Sequence, residues 1–154
     1  MQIYNILFLL RYILLPMKKL FFILFCSWCL IGCNGYEHET IPNVQVDFTI
    51  YPNDVSYYSL NHYGGHMYFT GGVRGIVVYR LDPYTFMAYD RACPYDWEDN
   101  DSWIWVEESG ITLIDSCCGS RFNILDGSVI NGPAIYSLKH YRTTFDGVKL
   151  RVYN

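Results

Sequence analysis

The chain reads as an all-β domain, and three observations predict it. Val44, Val46, Phe48 and Ile50 alternate with polar residues, the period of a half-buried strand. Turn signals recur at close spacing, at Tyr51-Pro52-Asn53-Asp54, Asp82-Pro83, Asp126-Gly127 and Asp146-Gly147. No helical periodicity longer than two turns appears after residue 34. Composition agrees: 51% of residues are apolar and 18% aromatic, with 15 Tyr, which suits a packed sheet rather than a disordered chain. At 154 residues there is enough chain for one core.

The first 32 residues stand apart from that domain. Met17-Lys18-Lys19 followed by the apolar run from Leu20 to Ile31 has the charged-then-apolar order of a secretory signal. A run of that length falls short of the ~20 residues that span a bilayer. Leu30-Ile31-Gly32-Cys33 resembles a bacterial lipobox, which implies that Cys33 is acylated and becomes the first residue of the mature protein. Residues 1–16 form a second apolar stretch broken by Arg11 and Pro16, read as an assigned start that lies too early, with Met17 the true one. The boundaries are therefore 1–32 for the signal, 33–43 for the lipidated cysteine and its tether, and 44–154 for the β domain.

Processing removes Arg11, Lys18 and Lys19 and no acidic residue, so the 11 basic side chains fall to 8 against 15 acidic ones. A nucleic-acid surface would need the opposite sign, and so would electrostatic attachment to anionic lipid. Membrane attachment must come from acyl chains on Cys33, and stable anchoring takes more than one. Cys26 and Cys29 leave with the signal, so Cys93, Cys117 and Cys118 remain in a compartment where a disulfide persists. The expected location is the bacterial cell envelope, at the periplasmic face or the cell surface.

Taken in order, Val44 to Ile50 is the first strand and Tyr57 to Leu60 is read as a short second one. His62-Tyr63-Gly64-Gly65-His66 carries two imidazoles four apart, but the glycines argue for a loop rather than a metal-binding helix. His66 to Phe69 is a strand, and Val73 to Arg80 is the clearest buried one. Asp82-Pro83 turns it toward Thr85 to Tyr89. The acidic segment from Asp96 to Asp101 lacks the spacing of a calcium loop and is read as solvated, with Trp103 and Trp105 packed beneath. Ile111 to Ile114 is a strand, Arg121 to Leu125 and Ser128 to Ile130 make a hairpin about Asp126-Gly127, and Ala134 to His140 and Val148 to Tyr153 finish the sheet.

Residues 117–134, Cys-Cys-Gly-Ser-Arg-Phe-Asn-Ile-Leu-Asp-Gly-Ser-Val-Ile-Asn-Gly-Pro-Ala, resemble the second cluster-binding loop of Rieske [2Fe-2S] proteins. There Cys-x-x-His-Gly-Ser-x-Phe leads through a Gly turn to Gly-Pro-Ala, and this chain matches at Gly119-Ser120-x-Phe122, Asp126-Gly127 and Gly132-Pro133-Ala134. The resemblance covers roughly residues 66–153. It implies a Rieske-like antiparallel β-sandwich with two loops at the former cluster site. A Rieske centre needs two thiolates on one iron and two imidazoles on the other. In the matched register Cys93 and Tyr95 stand where Cys-x-His belongs, and Asp115 and Cys118 stand at the second cysteine and histidine. Taking Cys117 as the ligand instead leaves Ser120 at the histidine position, so neither register supplies an imidazole.

Three chemistries remain for such a site. The first is a cluster-free domain in which Cys93 pairs with Cys118, or with Cys117, as a disulfide; the resemblance implies it, because Cys93 and Cys118 both face the cluster in the family. Closing a loop of about 25 residues would stabilise by ~3 kcal/mol. The second is an unorthodox metal or [2Fe-2S] site from Cys93, Asp115, Cys117 and Cys118, which with iron would carry electrons. The third is redox chemistry on the thiols, which a helix N-terminus would favour and a β-loop does not. Hydrolysis has no support, since Ser116 and Ser120 have no histidine at triad spacing, and no phosphate loop is present. The expectation is a protein that is no enzyme and holds no cofactor, with a structural or partner-binding role in which loop tips at 93–105 and 117–134 would meet a partner such as another envelope protein.

Overall fold

Five consecutive buried residues, Ile76–Arg80, form the strand about which the domain is layered. The structure is a computed structural model and describes residues 41–154. The signal 1–32, Cys33 and most of the tether lie outside the described residues. Strands in chain order are β1 (Asp47–Ile50), β2 (His66–Phe69), β3 (Ile76–Arg80), β4 (Phe86–Asp90), β5 (Ile104–Val106), β6 (Thr112–Asp115), β7 (Arg121–Asn123), β8 (Val129–Asn131), β9 (Arg142–Phe145) and β10 (Leu150–Tyr153). They make three antiparallel sheets, ordered β1-β10-β9, β2-β3-β4 and β5-β6-β7-β8. The all-β, antiparallel expectation holds. No helix among the described residues is long and apolar enough to cross a membrane.

The middle sheet explains why β3 is apolar without interruption. Alternate residues of a strand point to opposite faces. Ile76 and Val78 join Phe86 and Ala88 in a core shared with Val46, Ile50, Leu150 and Val152. Val77 and Tyr79 point the other way and pack with Tyr89, Ile104, Leu113 and Phe122. One strand thus serves two cores, and each buried aliphatic side chain contributes roughly 1.5–3 kcal/mol. Arg80 ends the strand with its guanidinium donating to the Leu60 and Pro83 carbonyls and to Asn53 Oδ1.

Several segments differ from the sequence reading. Tyr57 to Leu60 is no strand but part of a 3₁₀ turn, Val55–Asn61, because Asp54 Oδ1 accepts the Ser56 N–H and caps it. Ala134 to His140 runs irregularly, with only a single Tyr89–His140 bridge. Ala134 and Leu138 are buried while Ile135, Tyr136 and Ser137 are all exposed, so Tyr136, which would share their face in a strand, breaks the alternation. Two strands come from stretches read as loops: β5, which begins after Trp103 and carries Trp105 at its centre, and β9, whose Arg142-Thr143-Thr144-Phe145 pairs with β10 at the sheet edge. The end of the tether is tied down, since Asn154 donates to Asn43 Oδ1 and to the Val44 carbonyl and Lys139 donates to the Pro42 carbonyl.

A buried carboxylate joins the layers. Asp90, at the end of β4, accepts the Val73 N–H and the Tyr141 hydroxyl on Oδ2, and the Arg74 and Ala92 N–H groups on Oδ1. It fixes the 71–74 turn, the start of the next loop and the entry to β9 against one another.

Candidate functional site

Two loops meet beyond the ends of β4 and β6. The first leaves β4 at Arg91 and returns at Ile104, and its ends are pinned together: the Ile104 N–H donates to the Arg91 carbonyl, while Arg91 Nε donates to the Ile104 carbonyl. The Arg91 guanidinium is buried between the rings of Tyr68 and Trp105, 4.2 and 4.1 Å away, with Trp103 at 5.0 Å. Burial lowers its pKa. The acidic run closes around Arg74, whose guanidinium donates to the carbonyls of Trp97, Glu98, Asp99 and Asn100. The Arg74 guanidinium organises that segment, and Asp96 is turned inward toward Ser102.

The second loop, 115–120, is organised by Asp115. Its Oδ1 accepts the N–H groups of Cys117 and Cys118, both at 2.7 Å, and its Oδ2 accepts from Ser102 Oγ at 2.7 Å. Gly119 turns the chain at φ +72°. Ser120 Oγ accepts the Ala134 N–H and lies 3.0 Å from Cys118 Sγ, so Gly132-Pro133-Ala134 is packed onto this loop.

Between the loops, Cys93 Sγ and Cys118 Sγ lie 3.6 Å apart. Cys93, Asp96, Asp115 and Cys118 each offer one ligand atom, all within 4.8 Å of one another. Of the sequence-derived set Cys93, Asp115, Cys117 and Cys118, the structure brings Cys93, Asp115 and Cys118 together. Cys117 is exposed, with its Sγ 3.6 Å from Asp99 Oδ2, and Asp96 takes its place. Asp96 follows Cys93 by three residues, a spacing that would have pointed to it had the acidic run not read as wholly solvated. Ser102, fully buried beneath both carboxylates, left no sequence signal. Tyr95 contributes its N–H to Cys93, while more than half of its side chain is exposed. His62 packs on Tyr58, His66 on Tyr68 and His140 on Tyr89, and none joins the group.

All three thiols are raised. Burial pushes Cys93 far up, against the Tyr95 N–H and with help from the Asp115 and Asp96 carboxylates. Cys118 is raised chiefly by burial, opposed by hydrogen bonds from Ser120. Desolvation and then Asp99 raise Cys117. At neutral pH the loops present thiols rather than thiolates.

The donors do not fit a Rieske [2Fe-2S] centre. Two imidazoles are required on the second iron, and the group of two thiols and two carboxylates contains none. Ligand atoms that all lie within 4.8 Å of one another also surround room for one ion, not for two irons and their bridging sulfides.

No protein-family model matches the chain, and no curated protein matches it either. Among solved structures, the chain is similar to the ferredoxin of carbazole 1,9a-dioxygenase from Nocardioides aromaticivorans IC177, with a TM-score of 0.47 and 13% identity over 71% of this chain and 97% of that one.

Proposed function

We propose that the chain is a lipid-anchored envelope protein whose β domain is a Rieske-like scaffold without its [2Fe-2S] cluster, serving as a structural or partner-binding module rather than an enzyme. The observation that carries this reading is the donor set between the loops: two sulfurs in contact and two carboxylates, with no imidazole. The Gly119-Ser120-x-Phe122 loop packed under Gly132-Pro133-Ala134 supports the scaffold. Thiols held protonated are poor nucleophiles, which weighs against thiol catalysis. Oxidation of the Cys93–Cys118 pair, in place of a cluster, would lock the loops together. Exposed Tyr95, Trp105 and Tyr136 near the loop tips offer the kind of amphipathic side chains that anchor interfaces. The partner would be another envelope protein, and Cys33 would hold the chain at the membrane through its acyl chains.

The test is to purify the full chain anaerobically from detergent-solubilised membranes and measure iron, acid-labile sulfide and visible absorption. A colourless protein with far less than one iron per chain is expected, and Cys33→Ser should leave the membrane fraction. Two irons and two sulfides per chain would overturn the cluster-free reading; a Cys33→Ser chain that stays on the membrane would overturn the anchor.

A further inference from the structure

The two carboxylates between the loops have no ion-pair partner among the described residues. Asp115 is buried and Asp96 half-buried, and the ion pairs among the described residues are Arg121–Glu107, Lys149–Asp146 and Arg151–Asp47, none of which reaches them. The nearby cations are committed elsewhere, Arg74 to backbone carbonyls and Arg91 to its aromatic cage. Ser102 Oγ lies 2.8 Å from Asp96 Oδ1 and 2.7 Å from Asp115 Oδ2, but a hydroxyl has one proton and can donate to only one of them. Ser102 Oγ thus serves one carboxylate at a time while the Cys117 and Cys118 N–H groups hold Asp115 Oδ1, which leaves Asp96 and Asp115 oxygens converging on the two sulfurs with lone pairs open to a ligand.

From this geometry we infer that the reduced chain binds one thiophilic divalent cation, zinc above all, through Cys93, Cys118, Asp96 and Asp115. The inference rests on the cluster-free reading and assigns the same loops a different, non-redox occupant. Four donors of two thiolates and two carboxylates suit tetrahedral zinc, with Zn–S near ~2.3 Å and Zn–O near ~2.1 Å. Two sulfurs on such an ion stand roughly 3.8 Å apart by that geometry, and here they are 3.6 Å apart without it. The surroundings hold the ligands in place: Ser102 donates to one carboxylate, the Cys117 and Cys118 N–H groups hold Asp115 Oδ1, and the Tyr95 N–H and Ser120 hydroxyl address the two sulfurs. Asp115 Oδ2 keeps a lone pair free for the ion after accepting from Ser102. Binding releases the two thiol protons, so affinity rises with pH. Zinc and a Cys93–Cys118 disulfide exclude each other, because the disulfide consumes both thiolates.

The experiment titrates the reduced, chelator-stripped full chain in detergent with zinc against a chromophoric chelator, and with cobalt as a spectroscopic stand-in. One zinc per chain is expected, with an intense sulfur-to-cobalt absorption, and both should vanish after oxidation to the disulfide. Cys118→Ser and Asp96→Asn should abolish stoichiometric binding, Cys117→Ser should leave it intact, and Ser102→Ala should weaken it about 10- to 100-fold. Circular dichroism of each variant separates loss of a ligand from loss of the fold. A folded, reduced wild-type chain that takes up no zinc would overturn the inference while leaving the cluster-free reading standing, as would Cys117→Ser losing the site. Recovery of two irons with sulfide would instead remove the reading on which it rests.

Discussion

Replacing Asp90 by alanine is expected to destabilise the domain by about 4 kcal/mol, within the range for removing one member of a buried, hydrogen-bonded charged group. The carboxylate is fully buried and accepts from three backbone N–H groups and the Tyr141 hydroxyl, so its loss leaves four donors unsatisfied. Each buried donor left without a partner costs about 1–3 kcal/mol unless water enters. Burial and the neighbouring carboxylate raise the Tyr141 phenol, so it remains a donor across the ordinary pH range. Tyr141→Phe, which removes one of the four donors, should cost only about 1 kcal/mol. Denaturation followed by tryptophan fluorescence gives both numbers. A loss below 1 kcal/mol for Asp90→Ala would mean that the 71–74 turn and β9 are not held through this carboxylate.

Gly132→Ala should be nearly as damaging, at about 3 kcal/mol, for a different reason. Gly132 has φ +113°, where side-chain-bearing residues are strained, and an added Cβ would sit 2.5 Å from Ser120 Cα. The obstacle is backbone at the start of β7, so relief requires the Gly-Pro-Ala segment to lift off the second loop. Ala134 N–H would then lose Ser120 Oγ, and Cys118 would become more accessible to alkylating reagents. Gly119→Ala is the control: its φ is +72° and nothing lies within 4 Å of the added methyl, so only the left-handed backbone cost of about 1 kcal/mol applies. Equal losses in the two variants would show that the close approach of Gly132 to Ser120 is not what holds the loops together.

The strands that carry the cores were legible because their chemistry is one-dimensional. An unbroken apolar run such as Ile76-Val77-Val78-Tyr79 has to be covered on both faces, and an alternating one such as Val46 to Ile50 on one. Strand β9 was missed because Thr143 and Thr144 at a sheet edge bury little, so no apolar pattern marks them. Tyr57 to Leu60 misled through its aromatic content, since the cap from Asp54 decides the local fold and β propensity does not. At the site, Cys93, Asp115 and Cys118 were readable from the resemblance to the two Rieske loops. Asp96, Ser102 and Arg74 were not, because their roles arise from contacts between segments distant in sequence, and an acidic run offers nothing to distinguish its one inward-facing carboxylate from its solvated ones.

The contact between the two loops is tested most directly by mapping the disulfide of the metal-free full chain after equilibration with oxidised glutathione. Peptide mass spectrometry should find Cys93 joined to Cys118 and Cys117 unpaired, because the first two sulfurs lie 3.6 Å apart while the third is turned toward Asp99. Closing the bond requires only a modest further approach to the ~2.05 Å of a disulfide. A Cys93–Cys117 or Cys117–Cys118 linkage, or a Cys93 that stays reduced because it ligates iron, would contradict a site collapsed onto this thiol pair.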